Sequence, residues 1–191
     1  MSNTNNFDAE ALYLQLLDQV RSGLAGVADA AIVGIHSGGA WLAERLAADL
    51  GLQQRLGFID VSFYRDDFAR KGLHPDVKPT QIAFNVDRAN IVLVDDVLFT
   101  GRTTRAAINV LFDFGRPARI MLAALADRGG RELPVAADFV ATRVALAANA
   151  SLVLARAPDG QFSLSVEADP IAADTNAADP IAADTLEGDH A

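Results

Sequence analysis

Short apolar runs alternate with segments of helical period through most of the chain, and this alternation constrains the fold more than any other feature. Residues 8–22 place Leu12, Leu16, Leu17 and Val20 close to one face, which predicts a helix with Asn6 as its N-cap. Residues 30–35 are an apolar run containing β-branched side chains. Gly38-Gly39 follows, and then a helical stretch at about 40–50 that Gly51 closes. Residues 56–64 read as a further strand, 81–84 as a short run and 91–94 as a buried strand. Residues 102–114 form a helix ending at Gly115 with Pro117 just beyond, and 118–126 return as an apolar strand. The short runs at 138–142, 151–155 and 162–166 complete the sheet or make a small edge unit. Strands alternating with helices require crossover connections, so the expected class is α/β: a mainly parallel twisted sheet flanked by helices.

Composition narrows the function classes. At 191 residues the chain suits one domain with some spare length, and 51% apolar residues supply a core. With no cysteine, a disulfide scaffold, a thiolate metal site and a cysteine nucleophile are excluded. The polar N-terminus lacks the features of a signal peptide. No apolar run approaches the ~18–20 residues that span a bilayer. A soluble cytoplasmic protein with no membrane partner is expected.

The formal net charge of -9 is unevenly distributed. Glu167, Asp169, Asp174, Asp179, Asp184, Glu187 and Asp189 lie in a C-terminal segment without Lys or Arg, which leaves residues 1–166 close to neutral. That segment also repeats itself, residues 168–175 returning as 178–185. Its Ala/Asp/Pro composition buries too little surface to offset ordering entropy. The expected organisation is a domain at 1–166 and a disordered acidic tail at 167–191, with an interaction segment as the other reading of the tail.

Chemistry concentrates in Val94-Asp95-Asp96-Val97-Leu98-Phe99-Thr100-Gly101-Arg102-Thr103-Thr104. A buried strand ends in two adjacent carboxylates, and a loop with hydroxyls and a glycine leads into a helix. A helix N-terminus offers unpaired N–H groups and a positive dipole end, which favour phosphate. Thr100, Thr103 and Thr104 add hydroxyl donors, and Gly101 admits close backbone approach. Asp95 and Asp96 suit sugar hydroxyls, or a divalent cation bridging to a phosphorylated sugar. The segment is neither a Walker A loop nor a dinucleotide-binding fingerprint, and no Ser/His/Asp triad pattern is present. A second strand–turn–helix unit presents His36-Ser37-Gly38-Gly39. Between the sheet segments, residues 65–79 form a long polar stretch without period, which reads as a functional or mobile surface loop.

These residues resemble the 5-phosphoribosyl-1-pyrophosphate (PRPP) motif of type I phosphoribosyltransferases. More narrowly, residues 94–103 resemble the PyrR family of pyrimidine operon regulators with uracil phosphoribosyltransferase activity. Phe63-Tyr64-Arg65-Asp66-Asp67, Gly115-Arg116-Pro117 and Asp127-Arg128-Gly129-Gly130-Arg131-Glu132-Leu133-Pro134 support the same family, and the likeness runs from about residue 8 to 166. It implies the type I phosphoribosyltransferase fold with a flexible loop, and conversion of uracil and PRPP to UMP and diphosphate. Asp95 and Asp96 would be the catalytic acids on the ribose hydroxyls, with Mg2+ held mainly by the substrate nearby. Thr100 to Thr104 would cradle the 5-phosphate, and His36, Ser37, Gly38 and Gly39 would stand as the pyrophosphate loop. Arg65, Asp66, Asp67, Arg70, Lys71 and Lys78 would belong to the flexible loop that closes over the reacting sugar. Uridine nucleotides would be sensed, leader RNA is a further implied partner, and a homodimer or larger homo-oligomer is the implied assembly.

The chain departs from the family in two respects. Gly38 stands where many members carry an arginine, which removes a fork of donors from the pyrophosphate and implies weakened transfer. On the RNA side, residues 8–22 offer Arg21 alone among acids, and Gly130 replaces the usual histidine. Arg128, Arg131 and Arg143 are the candidates for a base-side or RNA patch, and the acidic tail opposes polyanions. Two other readings stay open: a nucleotide sensor that keeps the pocket without turnover, and a purine-base transferase.

Overall fold

The computed structural model describes residues 7–61, 79–147 and 149–168. The elements run α1 (Ala9–Gly23), β1 (Ala30–Ile35), α2 (Gly38–Leu50), a 3-10 turn at Gln53–Arg55, β2 (Leu56–Ile59), β3 (Gln81–Ile82), β4 (Asn90–Leu98), α3 (Arg102–Phe114), β5 (Arg119–Asp127), β6 (Phe139–Arg143), β7 (Ala150–Arg156) and β8 (Phe162–Ala168). Six strands form one sheet in the order β3-β2-β1-β4-β5-β6, while β7 and β8 pair as a separate antiparallel hairpin. All neighbours in the large sheet are parallel except β2 and β3. The strand–helix alternation therefore produced the expected mainly parallel sheet. Of the last three runs, β6 completes it, and β7–β8 form a separate hairpin packed on α1 and α2.

Strand alternation sorts the core into two layers. Ile32, Val92, Val94, Met121 and Ala123 pack on one face with Leu16, Val20, Leu42 and Leu46 of α1 and α2, joined by Leu152, Leu154 and Leu164 of the hairpin. Val33, Ile91, Leu93, Leu122 and Ala124 pack on the other with Ala107 and Leu111 of α3. Covering both faces is what allows the strands to be continuously apolar.

Local chemistry sets the boundaries and corrects several of them. Asp8, rather than Asn6, caps α1, its carboxylate accepting the Ala11 N–H at 3.0 Å. Gly51 closes α2 in the left-handed region, with φ 71°, as its position implies. The helix α2 starts at Gly38, two residues before the sequence periodicity shows, because its first turn carries glycines instead of apolar side chains. The strand β4 runs on through Asp95 and Asp96 to Leu98, since β5 pairs with it along that length. β8 reaches Ala168, Glu167 pairing with Ser151 across the hairpin.

The chain passes from β1 to β2 on one side and from β4 to β5 on the other. The strand order thus reverses between β1 and β4, and open α/β sheets bind ligands outside the carboxyl ends of the strands at such a point.

Candidate active site

Two loops leave the sheet at that reversal: residues 36–37 after β1 and residues 99–101 after β4. The strands are in register up to Gly34 opposite Val94, so the loops emerge side by side. Their approach is close. A methyl group on Gly39 would collide with the Val94 carbonyl oxygen and the Asp95 Cα, and one on Gly38 would collide with the Asp96 carboxylate. Glycine at both positions is therefore steric in origin. No side chain fits at residue 38 with Asp96 where it stands, which gives a structural reason for the missing arginine.

Asp95 is 3% exposed and Asp96 half-buried. The Asp96 N–H donates to Asp95 Oδ1 at 3.0 Å. Contact with Gly38 puts the Asp96 carboxylate against the first turn of α2, and strand alternation gives Asp95 the opposite face. Both α2 and α3 begin at this end of the sheet. Neither has a side-chain cap at its N-terminus nor an acid in its first turn. Two helices of 13 residues each thus direct positive dipole ends at the rim of an acidic pair.

The other expected site residues divide by position. Val94 and Leu98 are core side chains, Val97 is partly buried against the α1–α2 layer, and all three contribute backbone alone to the rim. The Thr100 hydroxyl accepts the Arg102 N–H at 3.3 Å. Gly101, at φ 91°, occupies the N-cap of α3, and Thr103 is half-buried. Thr104 is 1% exposed, and its hydroxyl has no partner among the described residues. Arg102 directs its guanidinium sideways to Glu132, at 2.8 and 2.7 Å. His36 donates its N–H to the Ile59 carbonyl at 2.9 Å and stacks its ring on Phe58, 5.6 Å between centroids. Ser37 is exposed at the N-cap of α2.

Residues 127–135 lie behind the β4 loop. Arg131 pairs with Asp127 at 2.6 Å, while Arg128 lies 4.0 Å over the Phe99 ring. Gly130 packs on the same ring, where a Cβ would clash with it. Burial works against the Asp127 carboxylate. It is outweighed by hydrogen bonds from the Gly129 N–H and Arg131, together with the charges of Arg131 and Arg143, so the pKa is held below its ordinary value. Arg143, opposite Asp127 in the β5–β6 ladder, is exposed. Glu132 had no assigned role in the sequence because its partner Arg102 lies in another segment, whereas Asp127 meets Gly129 and Arg131 of its own loop. Arg65, Asp66, Asp67, Arg70, Lys71 and Lys78 lie outside the described residues, as does the chain beyond Ala168.

A cavity of about 430 Å³ is lined by Trp41, Glu44, Arg45, Arg156 and Phe162, among others. It shares no residue with the acidic pair or with either loop. Among the described residues no helix is long and apolar enough to cross a membrane.

Sheet order, paired acids and opposed helix N-termini define the type I phosphoribosyltransferase class, and the family described as phosphoribosyl transferase domain matches residues 8–150. Solved structures agree on the fold. A purine phosphoribosyltransferase from Pyrococcus horikoshii superposes with a TM-score of 0.55 at 28% identity, covering 72% of this chain and 83% of its own. The hypoxanthine phosphoribosyltransferase of Trypanosoma cruzi gives 0.56 at 19% identity, covering 77% and 83%. Proteins named bifunctional protein PyrR are much nearer in sequence. The one from Ralstonia nicotianae is 54% identical over 159 residues, 82% of this chain and 91% of that protein. The one from Nitrosococcus oceani is 51% identical over 136 residues, 70% and 77%. The chain belongs to the PyrR family of phosphoribosyltransferases.

Proposed function

We propose that the chain is a bifunctional PyrR regulator with uracil phosphoribosyltransferase activity, which joins uracil to PRPP to give UMP and diphosphate and senses uridine nucleotides through the same pocket. One observation carries the reading: an acid pair flanked by two uncapped helix N-termini at the point where strand order reverses. A phosphorylated sugar with phosphate groups at opposite ends is served by acceptors that stand between two sets of N–H donors. The α3 N-terminus and the 99–101 loop would take the 5-phosphate. Asp95 and Asp96 would accept from the ribose hydroxyls, and the α2 N-terminus with His36 and Ser37 would face the diphosphate. A uracil ring nitrogen then forms the bond to the anomeric carbon as the bond to diphosphate breaks, and the nitrogen's proton is lost. These fixed dipoles stabilise leaving-group charge without reorganising.

The donor set fits Mg2+. No group of three or more His, Asp or Glu side chains is assembled among the described residues. Mg2+ usually keeps water and substrate phosphate oxygens beside one or two carboxylates, and Asp96 next to the α2 N-terminus offers one. When bound it supplies charge neutralisation on the diphosphate.

The test is a steady-state assay of UMP formation from uracil and PRPP with Mg2+, alongside hypoxanthine and guanine. Turnover with uracil supports the reading. UMP binding without turnover would favour a sensor, and turnover with a purine alone would overturn the base assignment. Leader RNA and self-association belong to the same reading and are tested by band shift and by sedimentation.

A further inference from the structure

The carbonyl groups of the β4 loop are held from behind. The Leu98 carbonyl accepts the Arg128 N–H at 3.1 Å and Arg131 Nη1 at 3.3 Å. Arg131 Nη1 also donates to the Phe99 carbonyl. The Thr100 carbonyl accepts the N–H groups of Glu132 at 3.0 Å and Leu133 at 3.2 Å. Three consecutive carbonyls therefore point toward residues 128–135. In a trans peptide the next N–H points opposite to the carbonyl, so the N–H groups of Phe99, Thr100 and Gly101 are turned the other way. That is the arrangement of a backbone anion nest.

Arg131 organises the support. Besides the Leu98 and Phe99 carbonyls, its guanidinium donates to the Val135 carbonyl at 3.1 Å and the Gly129 carbonyl at 3.2 Å, and pairs with Asp127. One rigid fork thus joins the end of β4, the end of β5 and the far side of the loop. Its side chain is 22% exposed, and its donors meet protein carbonyls.

We propose that Arg131 is a positioning residue for PRPP: it orients the peptide planes of residues 98–101 so that their N–H groups meet the sugar phosphate. The proposal rests on the reading of that loop as the phosphate site. It assigns to Arg131 an effect on the phosphorylated substrate and none on the base.

The test compares the full chain with Arg131→Met and Arg131→Lys, measuring PRPP binding by calorimetry, KM for PRPP and for uracil, and Tm. Loss of a positioning group costs about tenfold to a hundredfold. Arg131→Met is expected to raise the PRPP Kd and KM by about that much and to leave the uracil KM within about twofold. Lysine, a point donor without the fork, should recover part of the loss. A lowered Tm with unchanged PRPP constants, or equal rises in both KM values, would overturn the proposal. If Arg131→Met does not fold, Arg131→Lys decides: an unchanged PRPP KM there refutes the role. Failure of the unaltered chain to bind PRPP would instead sink the function itself.

Discussion

Arg131 and Arg45 each tie three segments of chain together, but they do so with different chemistry. Arg131 bonds mostly to backbone carbonyls beside the acid pair. Arg45, on α2, bonds to the Glu10 carboxylate at 2.9 and 2.8 Å and lies between aromatic rings, 4.2 Å over Tyr13 and 5.3 Å over Phe162. Glu10 also accepts the Phe162 N–H at 2.7 Å, which pins the β7–β8 hairpin to α1. Removing a carbonyl partner rotates peptide planes, whereas removing a ring-and-carboxylate partner loosens packing. One cluster should therefore govern substrate affinity and the other stability, although both look alike as half-buried arginines.

The comparison can be broken at several points. The largest effect is expected at the acids that the Arg131 side serves. Asp95→Asn with Asp96→Asn should weaken PRPP binding by more than about a hundredfold, since charge-assisted acceptors at a buried site are lost. Calorimetry at constant Tm checks it, and retained binding would refute the site. Gly38→Ala comes next. The added methyl must displace the Asp96 carboxylate, so PRPP KM should rise about tenfold while stability falls by about 1–3 kcal/mol, the usual cost of overpacking. Kinetics together with urea melts separate the two effects.

Arg45→Ala should do the reverse, lowering stability by about 1–3 kcal/mol with PRPP KM unchanged. A shift in KM there would erase the distinction between the two clusters. The smallest effects are in pH. Burial, then the hydrogen bond to Asp49 at 2.5 Å and the charge of that carboxylate, raise the Tyr13 pKa. Its contribution is full below the unfolded value of about 10 and is lost as pH rises beyond it, so Tyr13→Phe should flatten the alkaline fall in Tm. Asp127 carries the opposite sign. Its lowered pKa contributes stability above the unfolded value of about 4 that is lost as pH falls through the folded one. Asp127→Asn should flatten the acid limb.

Much of this was legible in residue order. The apolar runs located β1, β4 and β5, and Gly51 and Gly115 marked helix ends, because periodicity and backbone conformation are local properties. The acid pair, the Thr-Gly loop and the helix after it were legible for the same reason: phosphate recognition at a helix N-terminus uses consecutive residues. The extent of β4 was not, since it depends on pairing with β5. Nor was the role of Gly38, whose reason is a carboxylate 58 positions away in the chain, or of Arg102, whose guanidinium meets Glu132 a further 30 residues along. For Arg131 the sequence supplied a charge in a recognisable loop, open to a base-side or RNA patch or to holding the loop itself. Tertiary structure turned that charge inward onto the carbonyls of residues 98 and 99. The sequence by itself determined the alternation, the acids and the Thr-Gly loop, because each follows from neighbours in the chain. The steric and hydrogen-bonded partners that orient them come from distant segments and were decided when the sheet closed.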